Sequence, residues 1–170
     1  MTAEQSFLDY SARKLTQLGG RIADCLDRLT EEQIWARGGT NENAVGNLVL
    51  HLCGNAGQWI GHGVGGHPDT RQRDAEFAAR GDAGTAELKH LLDEVLKSAT
   101  SVIANLPPGR LVESITIQGY RVTVLEAIYN VVEHFSGHTG QIQYATKLLT
   151  GADLGYYRHL PASAHGEQVP

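Results

Sequence analysis

The chain has 170 residues, 41% of them hydrophobic and 19% charged, with a formal net charge of -5. This length and composition fit one globular domain with a sizeable core. The acidic balance argues against nucleic acid or an anionic membrane as the main partner. No apolar run approaches the ~18 residues of a transmembrane span, and we see no signal-peptide pattern. Two distant cysteines, Cys25 and Cys53, indicate reduced thiols in a cytoplasmic protein.

Four long stretches show helical spacing of apolar residues: 6–29, 43–62, 85–106 and 123–149. Before the last of them, residues 111–124 are rich in β-branched residues and turn at Gln118-Gly119, which predicts a β-hairpin. The fold class is therefore all-α, an antiparallel up-and-down four-helix bundle with a small β-hairpin before the last long helix. We expect a single domain over residues 1–160 and a flexible tail over 161–170.

The second helix is notable for the charges that it lacks. Between Glu42 and Asp69 there is no Asp, Glu, Lys or Arg, so we expect most of its circumference to be covered. One row of side chains along this helix, with Asn47, His51 and Asn55, is polar but uncharged. Such a row suits the wall of a small cavity. The connection that follows, residues 63–84, is long enough to predict a lid or the mouth of a site, with a helical turn over 74–78.

The last helix carries a pair of histidines one turn apart, His134 and His138. A capping box of Thr123 and Glu126 predicts its start and Gly151 its end. The pair lies at the edge of the apolar face, which contains Val124, Ile128, Val131, Val132, Phe135, Ile142 and Leu149. This spacing lets two imidazoles bind one metal ion. By itself such a pair is a weak signal, and it is more often two hydrogen-bonded residues at a helix flank than a metal site.

A third histidine strengthens the metal hypothesis. In a bundle, His51 of the second helix is the natural partner of His134 and His138, and three imidazoles leave a fourth position open for a substrate. Amide side chains one turn away are candidates to orient the imidazoles or to line the pocket: Asn47, Asn55, Asn130 and Gln141. The alternative is a set of unrelated polar residues at helix flanks. No catalytic acid or base can be assigned.

Two motifs resemble the DinB-like (DinB/YfiT-like) superfamily of metalloenzymes. Residues 47–60, NLVLHLCGNAGQWI, resemble its second-helix motif, and residues 131–142, VVEHFSGHTGQI, resemble its HxxxH helix. The hairpin and the segment 153–157 resemble a branch of unknown function. The resemblance implies a four-helix bundle with a three-histidine site for a divalent ion such as zinc or nickel. It also implies homodimers in many members and, in better understood relatives, metal-activated transfer of a low-molecular-weight thiol.

The intact histidine triad argues against a bundle that merely dimerises with an empty site, and two functions remain open at this point. One is a metal-dependent enzyme acting on a small-molecule substrate, either a thiol S-transferase or a hydrolase. The other is a non-catalytic metal- or ligand-binding stress-response protein. We also expect a homodimer, because a glycine stripe on the second helix needs a close packing partner: Gly46, Gly54, Gly57 and Gly61. That partner is either the same helix of a second subunit, which we favour, or another helix of the same chain, such as the first with Gly19-Gly20. The outer side of the last helix, sparse in charge around Gly137 and Gly140, is a second candidate interface.

Overall fold

The computed structural model describes residues 1–81 and 83–160, so the expected tail over 161–170 lies outside the described residues. The described residues form six α-helices and one two-stranded antiparallel hairpin that precedes the last helix. The helices are α1 (Ala3–Leu26), α2 (Glu31–Trp35), α3 (Val45–Ala56), α4 (Arg73–Ala78), α5 (Thr85–Ala104) and α6 (Val124–Thr150). A π-helical segment, Gly57–Val64, continues α3, and the strands are β1 (Ser114–Ile117) and β2 (Tyr120–Thr123). The mostly helical fold with a hairpin before the last helix is thus confirmed.

The long helices share one apolar core. Both α1 and α3 pack against α5 and α6, while the short helices α2 and α4 pack on α3. The largest fully buried side chains come from all of the long helices and include Leu15, Ile22, Leu52, Leu88, Ile103, Ile128 and Phe135. Among the residues that the structure describes, no helix is both long and apolar enough to cross a bilayer.

Helix α6 begins and ends where the sequence predicts. The side chain of Thr123 accepts a hydrogen bond from the backbone N–H of Glu126, whose carboxylate binds back to Thr123. At the other end Gly151 adopts a left-handed φ of 67°, which glycine tolerates without strain. Five of the seven predicted core positions are fully buried: Val124, Ile128, Val131, Phe135 and Ile142. Leu149, predicted on the same face, is 40% exposed in the last turn.

Helix α3 is covered on nearly every side, as its missing charges predict. A Cβ at Gly46 would meet the Trp35 ring of α2 at 2.8 Å, and a Cβ at Gly54 would overlap Glu76 of α4. Two of the four stripe glycines therefore serve packing within the chain, against the short helices. By contrast, a Cβ at Gly57 would meet nothing within 4 Å.

Three details differ from the sequence prediction or refine it. The sequence predicts Thr85 as the cap of α5, but Thr85 is the first residue of the helix, and the N-cap is Gly84, which has no side chain to cap it. The hairpin turn has positive φ at both Gln118 (53°) and Gly119 (80°), the geometry that matches the twist of two antiparallel strands. After α6, the hydroxyl of Tyr156 donates to the carboxylate of Asp24 at 2.9 Å and ties this segment to α1.

Candidate metal centre

Helix α6 presents His134 and His138 side by side, with ring centroids 4.5 Å apart and ring planes nearly perpendicular. Both side chains are half-buried, whereas Glu133, one residue earlier, is exposed. The Nδ1 atom of His138 lies 2.7 Å from Oε1 of Gln141. An amide oxygen can only accept, so Nδ1 of His138 donates the proton and Nε2 keeps its lone pair.

His51 reaches the same point from α3 and is buried. Its Nε2 lies 3.0 Å from Nε2 of His134, and its ring centroid is 5.4 Å from that of His138. One ligand atom from each of the three residues lies within 4.8 Å of the others. Two distant parts of the sequence thus meet as the hypothesis requires, and the three histidines form a group that could hold a metal ion.

A carboxylate that the sequence analysis did not assign orients His51. Glu76 of α4 is buried, and its Oε2 lies 2.9 Å from Nδ1 of His51. Because an ionised carboxylate only accepts, Nδ1 of His51 carries the proton of this hydrogen bond, and Nε2 faces the other histidines. A carboxylate behind a histidine ligand fixes its tautomer and raises its basicity in many metal sites.

Arg71 holds Glu76 in turn. Its Nε donates to Oε1 at 2.7 Å and one terminal nitrogen donates to Oε2 at 2.9 Å, a bidentate pair. The other terminal nitrogen donates to Gln58 of the π-helical segment at 3.0 Å. Gln58 also accepts a hydrogen bond from Gln118 at the hairpin turn. A continuous polar chain therefore runs from the hairpin to His51.

The sequence holds one signal for a carboxylate that orients His51. The helix that carries His51 contains no acid, so an orienting carboxylate had to come from another segment. The first charged segment after this helix is 69–82, in the connection predicted to form a lid or a mouth. Glu76 is the carboxylate of this segment that becomes buried against α3. No local sequence pattern reveals that burial.

The electrostatics favour the neutral form of His134 and His138. Burial lowers the pKa of His134 to about 4, and the nearby His138 and His51 act in the same direction. Burial also lowers the pKa of His138, with the Gln141 hydrogen bond opposing it in part. For Glu76, burial by itself would raise the pKa, but hydrogen bonds from Arg71 and His51 outweigh it and the pKa is lowered. Neutral imidazoles beside an ionised carboxylate are in the state that metal binding requires.

The four predicted amide residues occupy different environments. Gln141 contacts His138 directly, as described above. Asn47 is buried, and its amide donates to the backbone oxygens of Glu76 and Ala79, so it anchors α4 rather than an imidazole. Asn55 is buried and its Oδ1 has no partner within the described part of the chain. Asn130 is half-buried on α6. An orienting role for these residues stays a prediction.

The protein's own thiols do not join the histidines. Both Cys25 and Cys53 are free and buried. Burial, followed by the charge of Glu76, raises the pKa of Cys53 to about 12, so this thiol stays protonated at neutral pH. The potential metal ligands in the described residues are therefore nitrogen atoms, not sulfur.

A cavity of about 490 Å³ lies on the other side of the Arg71–Glu76 pair. It is bounded by α3 and its π-helical extension, the connection 67–72 and α5, and none of the three histidines lines it. Three stripe glycines face it: Gly54, Gly57 and Gly61. This cavity and the histidine group are thus separate features, with the Arg71–Glu76 ion pair between them.

The histidine group fits a divalent transition metal on the chemistry of its donors. Tetrahedral zinc holds imidazole nitrogens at about 2.0–2.1 Å, which places two such nitrogens roughly 3.3 Å apart. The 3.0 Å separation between His51 and His134 is close to that spacing. His51 and His138 also have their Nδ1 atoms engaged by oxygen acceptors, which leaves both Nε2 atoms available.

The fold and the site together define a helical protein with a three-histidine group that could hold a metal ion. The chain matches the family model described as "Protein of unknown function (DUF1572)" over residues 2–159, and it belongs to that family. A comparison with curated proteins gives no match. Among solved structures it is similar to a "conserved protein of locus" from Enterococcus faecalis, with 16% identity and a TM-score of 0.73 over 89% of this chain and 99% of that chain. At this identity the likeness shows the fold alone.

Proposed function

We propose that His51, His134 and His138 bind one divalent ion, zinc or nickel, and that the protein is a metal-dependent enzyme. The proposed reaction class is transfer of a low-molecular-weight thiol to a small electrophilic substrate. The unit that carries it is a DinB-like four-helix bundle formed by residues 1–160. The observation that supports this most is the convergence of three imidazoles from α3 and α6, with one ligand atom of each within 4.8 Å of the others.

Three protein ligands suit catalysis better than a purely structural role. Structural zinc sites are closed by four protein ligands, whereas catalytic sites keep one position for a substrate or water. His134 and His138 are only half-buried, so the group is reachable from solvent on the α6 side. When bound, a divalent ion lowers the pKa of a coordinated thiol or water and stabilises its anion near neutral pH.

Glu76 acts in this proposal as a positioning residue and not as a general base. Both of its oxygens are occupied, one by His51 and Arg71 and the other by Arg71. Its lowered pKa makes it a poor proton acceptor near neutral pH. Its role is to hold the proton of His51 on Nδ1 and to fix the ring plane. The general base remains unassigned.

The reacting thiol must come from outside the chain. Cys53 is protonated and Cys25 is buried beside Tyr156, so neither supplies a thiolate to the histidine group. A low-molecular-weight thiol as cosubstrate satisfies this requirement, in line with the resemblance to thiol-dependent relatives. Free cysteines also suit a reducing compartment, which supports a cytoplasmic location.

The second candidate is a non-catalytic metal- or ligand-binding stress-response protein. The cavity of about 490 Å³ favours it, because a cavity of this size takes a small organic ligand without contact to the three histidines. Hydrolysis by a coordinated water is the other enzymatic option for the same donor set.

Metal analysis of the purified protein tests the proposal. We expect one zinc or nickel per chain, with nitrogen ligands at about 2.0–2.1 Å for zinc by X-ray absorption. His51→Ala, His134→Ala and His138→Ala should each lose stoichiometric metal. His90→Ala is the matched control, because His90 is exposed on α5. A His138→Ala protein that retained one metal per chain would overturn the assignment.

Thiol transfer is measured separately, on metal-loaded protein with a panel of electrophiles and low-molecular-weight thiols. We expect turnover in the wild type and in His90→Ala, and none in the three histidine variants. Stoichiometric metal without turnover on any electrophile would favour the binding-protein alternative. Turnover without a thiol would favour hydrolysis.

A further inference from the structure

The cavity of about 490 Å³ beside the Arg71–Glu76 pair has an apolar part that is open to a ligand. Its volume lies within the range of about 300–1,000 Å³ that is common for small-molecule sites. Its apolar walls come from two helices and include Leu50 of α3 and both Leu91 and Val95 of α5. Leu91 is 37% exposed, and Leu50 and Val95 are half-buried, so a bound molecule could cover apolar surface on both sides.

Polar groups at the other end of the cavity hold one another in place. The carboxylate of Asp69 accepts a hydrogen bond from Nε2 of Gln58 at 2.8 Å and one from the backbone N–H of Arg71 at 3.1 Å. The guanidinium of Arg71 donates to Gln58 at 3.0 Å and to Glu76 at 2.7 Å. These contacts tie the connection 67–72 to the π-helical extension of α3. The polar end is therefore preorganised, and a ligand need not order it.

The polar end carries one negative charge that is not balanced within the wall. Among the described residues that line the cavity, Asp69 and Glu76 are acids and Arg71 is the base. Glu76 pairs with Arg71, whose side chain is 4% exposed, so these two charges compensate each other inside the wall. The charge of Asp69 remains, and this residue is exposed.

Asp69 is ready to accept further hydrogen bonds. Hydrogen bonds from Gln58 and then from the backbone of Arg71 hold the pKa of its carboxyl below the usual value, so it is ionised at neutral pH. From the described part of the chain, each of its oxygens accepts one hydrogen bond. A carboxylate has about four lone-pair sites, which leaves room for a ligand that donates.

The ligand that complements this cavity has an apolar body and one positive charge. Its body would pack against the leucine and valine walls, and an ammonium group would donate to the carboxylate of Asp69. An anionic group at the same place would meet a like charge. We propose that the cavity is a second ligand site, which binds a small apolar amine in its ammonium form. None of the three histidines lines it, so the proposal goes beyond thiol transfer and does not rest on it.

Three probes that share one apolar body test the ligand class by calorimetric titration of the full chain. They are naphthylethylamine, naphthylethanol and naphthylacetate, which are cationic, neutral and anionic at neutral pH. We expect a dissociation constant on the order of 0.1 mM for the amine. The alcohol should bind about fivefold more weakly, as expected for loss of one solvent-accessible ion pair, and the acetate more weakly still. Acetate binding as tight as amine binding would overturn the proposal, and so would an amine that does not bind at millimolar concentration.

The charge of the site is tested with Asp69→Asn. This variant should bind the amine no better than the alcohol, while its affinity for the alcohol stays as in the wild type. Asp74→Asn is the matched control, because Asp74 is an exposed acid of α4 that does not line the cavity. A wild-type preference for the amine in Asp69→Asn would contradict the assigned role of the carboxylate.

The space of the site is tested with Gly57→Leu. Gly57 lines the cavity in a right-handed helical conformation, and a Cβ there would meet nothing within 4 Å, so the new side chain can enter the cavity without strain in the helix. We expect binding of both the amine and the alcohol to weaken about tenfold or more. Gly20→Leu is the matched control on α1, where an added Cβ also meets nothing within 4 Å. Wild-type affinity in a folded Gly57→Leu protein would show that the probes bind elsewhere.

Two further measurements distinguish this site from the metal centre and from a contact between chains. Amine affinity should be the same before and after metal removal by a chelator, because the Arg71–Glu76 pair lies between the cavity and the histidines. Binding that disappears with the metal would place the amine on the metal and refute the second site. Sedimentation should give the same molar mass for the wild type and Gly57→Leu. A dimer that this substitution splits would show that a second copy of the chain covers the cavity, which would also refute it.

Discussion

The two halves of the histidine group are supported in different ways. The half on α3 is one buried imidazole, whose Nδ1 binds Glu76, which in turn is held by a bidentate contact from Arg71. The half on α6 is two half-buried imidazoles, of which His138 is held by the exposed amide of Gln141. The ring of Phe77 also packs against His51, with centroids 4.7 Å apart.

This difference shows which half is preorganised for binding a metal ion. A buried ion pair fixes the position and tautomer of His51, because moving it would leave a charge without its partner. The α6 half rests on helix geometry and one solvent-exposed hydrogen bond, so its rings have more freedom to adjust. Perturbing the α3 half should therefore cost more than perturbing the α6 half, in both metal affinity and stability.

The largest effect is expected from Glu76→Gln. The substitution keeps the shape but removes the charge that holds Arg71 and the proton on Nδ1 of His51. Loss of such an orienting carboxylate typically weakens metal binding about 10–100-fold. Leaving the Arg71 guanidinium, whose side chain is 4% exposed, without its anion should also lower the free energy of unfolding by about 3 kcal/mol. Competition titration with a chromophoric chelator and urea unfolding measure the two effects.

A cobalt-substituted sample separates positioning from general damage. If Glu76 orients His51, the d–d absorption of bound cobalt should change in Glu76→Gln even under conditions where the variant is fully folded. Glu133→Gln is the matched control, because Glu133 precedes His134 but points to solvent. Wild-type affinity and an unchanged cobalt spectrum in Glu76→Gln would show that the carboxylate does not position the ligand.

The same contrast explains which parts of the molecule the sequence could reveal. Helix α6 is specified locally, by the Thr123 capping box, by Gly151 and by apolar residues at helical spacing, so its two histidines could be placed correctly. The α3 helix was recognisable from its missing charges. The six-residue helix α4 is predicted as a helical turn over 74–78, but nothing in the sequence marks its Glu76 as buried, because that burial comes from tertiary contact with α3. The π-helical continuation of α3 likewise depends on packing, as the hairpin residue Ile117 lies directly over Gly63.

A smaller effect is expected from acidification of the metal-free protein. The pKa of His134 is about 4 in the folded chain against about 6.5 when unfolded, so the unfolded state binds more protons between these values. The contribution of neutral His134 to the free energy of unfolding should therefore be complete above about pH 6.5. It should decrease as the pH falls toward 4. Because His134 is only half-buried, the slope should stay below the ~1.4 kcal/mol per pH unit of one full proton.

Urea unfolding from about pH 4.5 to 7.5 in the presence of a chelator measures this slope. The window stays above the range where Glu76, whose pKa is lowered, begins to protonate. His134→Asn should flatten the dependence, while His90→Asn, which changes an exposed histidine, should leave it as in the wild type. An identical slope in wild type and His134→Asn would mean that the imidazole is not held neutral by its surroundings.

The smallest effect is expected at Gln141, the α6 counterpart of Glu76. Its amide oxygen accepts from Nδ1 of His138 at 2.7 Å, but Gln141 is exposed, and water can replace it. Gln141→Ala should therefore weaken metal binding only about threefold, within the ~0.5–1.5 kcal/mol of a neutral hydrogen bond. Gln141→Glu offers a carboxylate at the same place and should bind metal at least as tightly as the wild type, because a charged acceptor makes the ligand more basic. If Gln141→Ala cost as much affinity as Glu76→Gln, the two halves of the site would be equally preorganised and the contrast between them would be wrong.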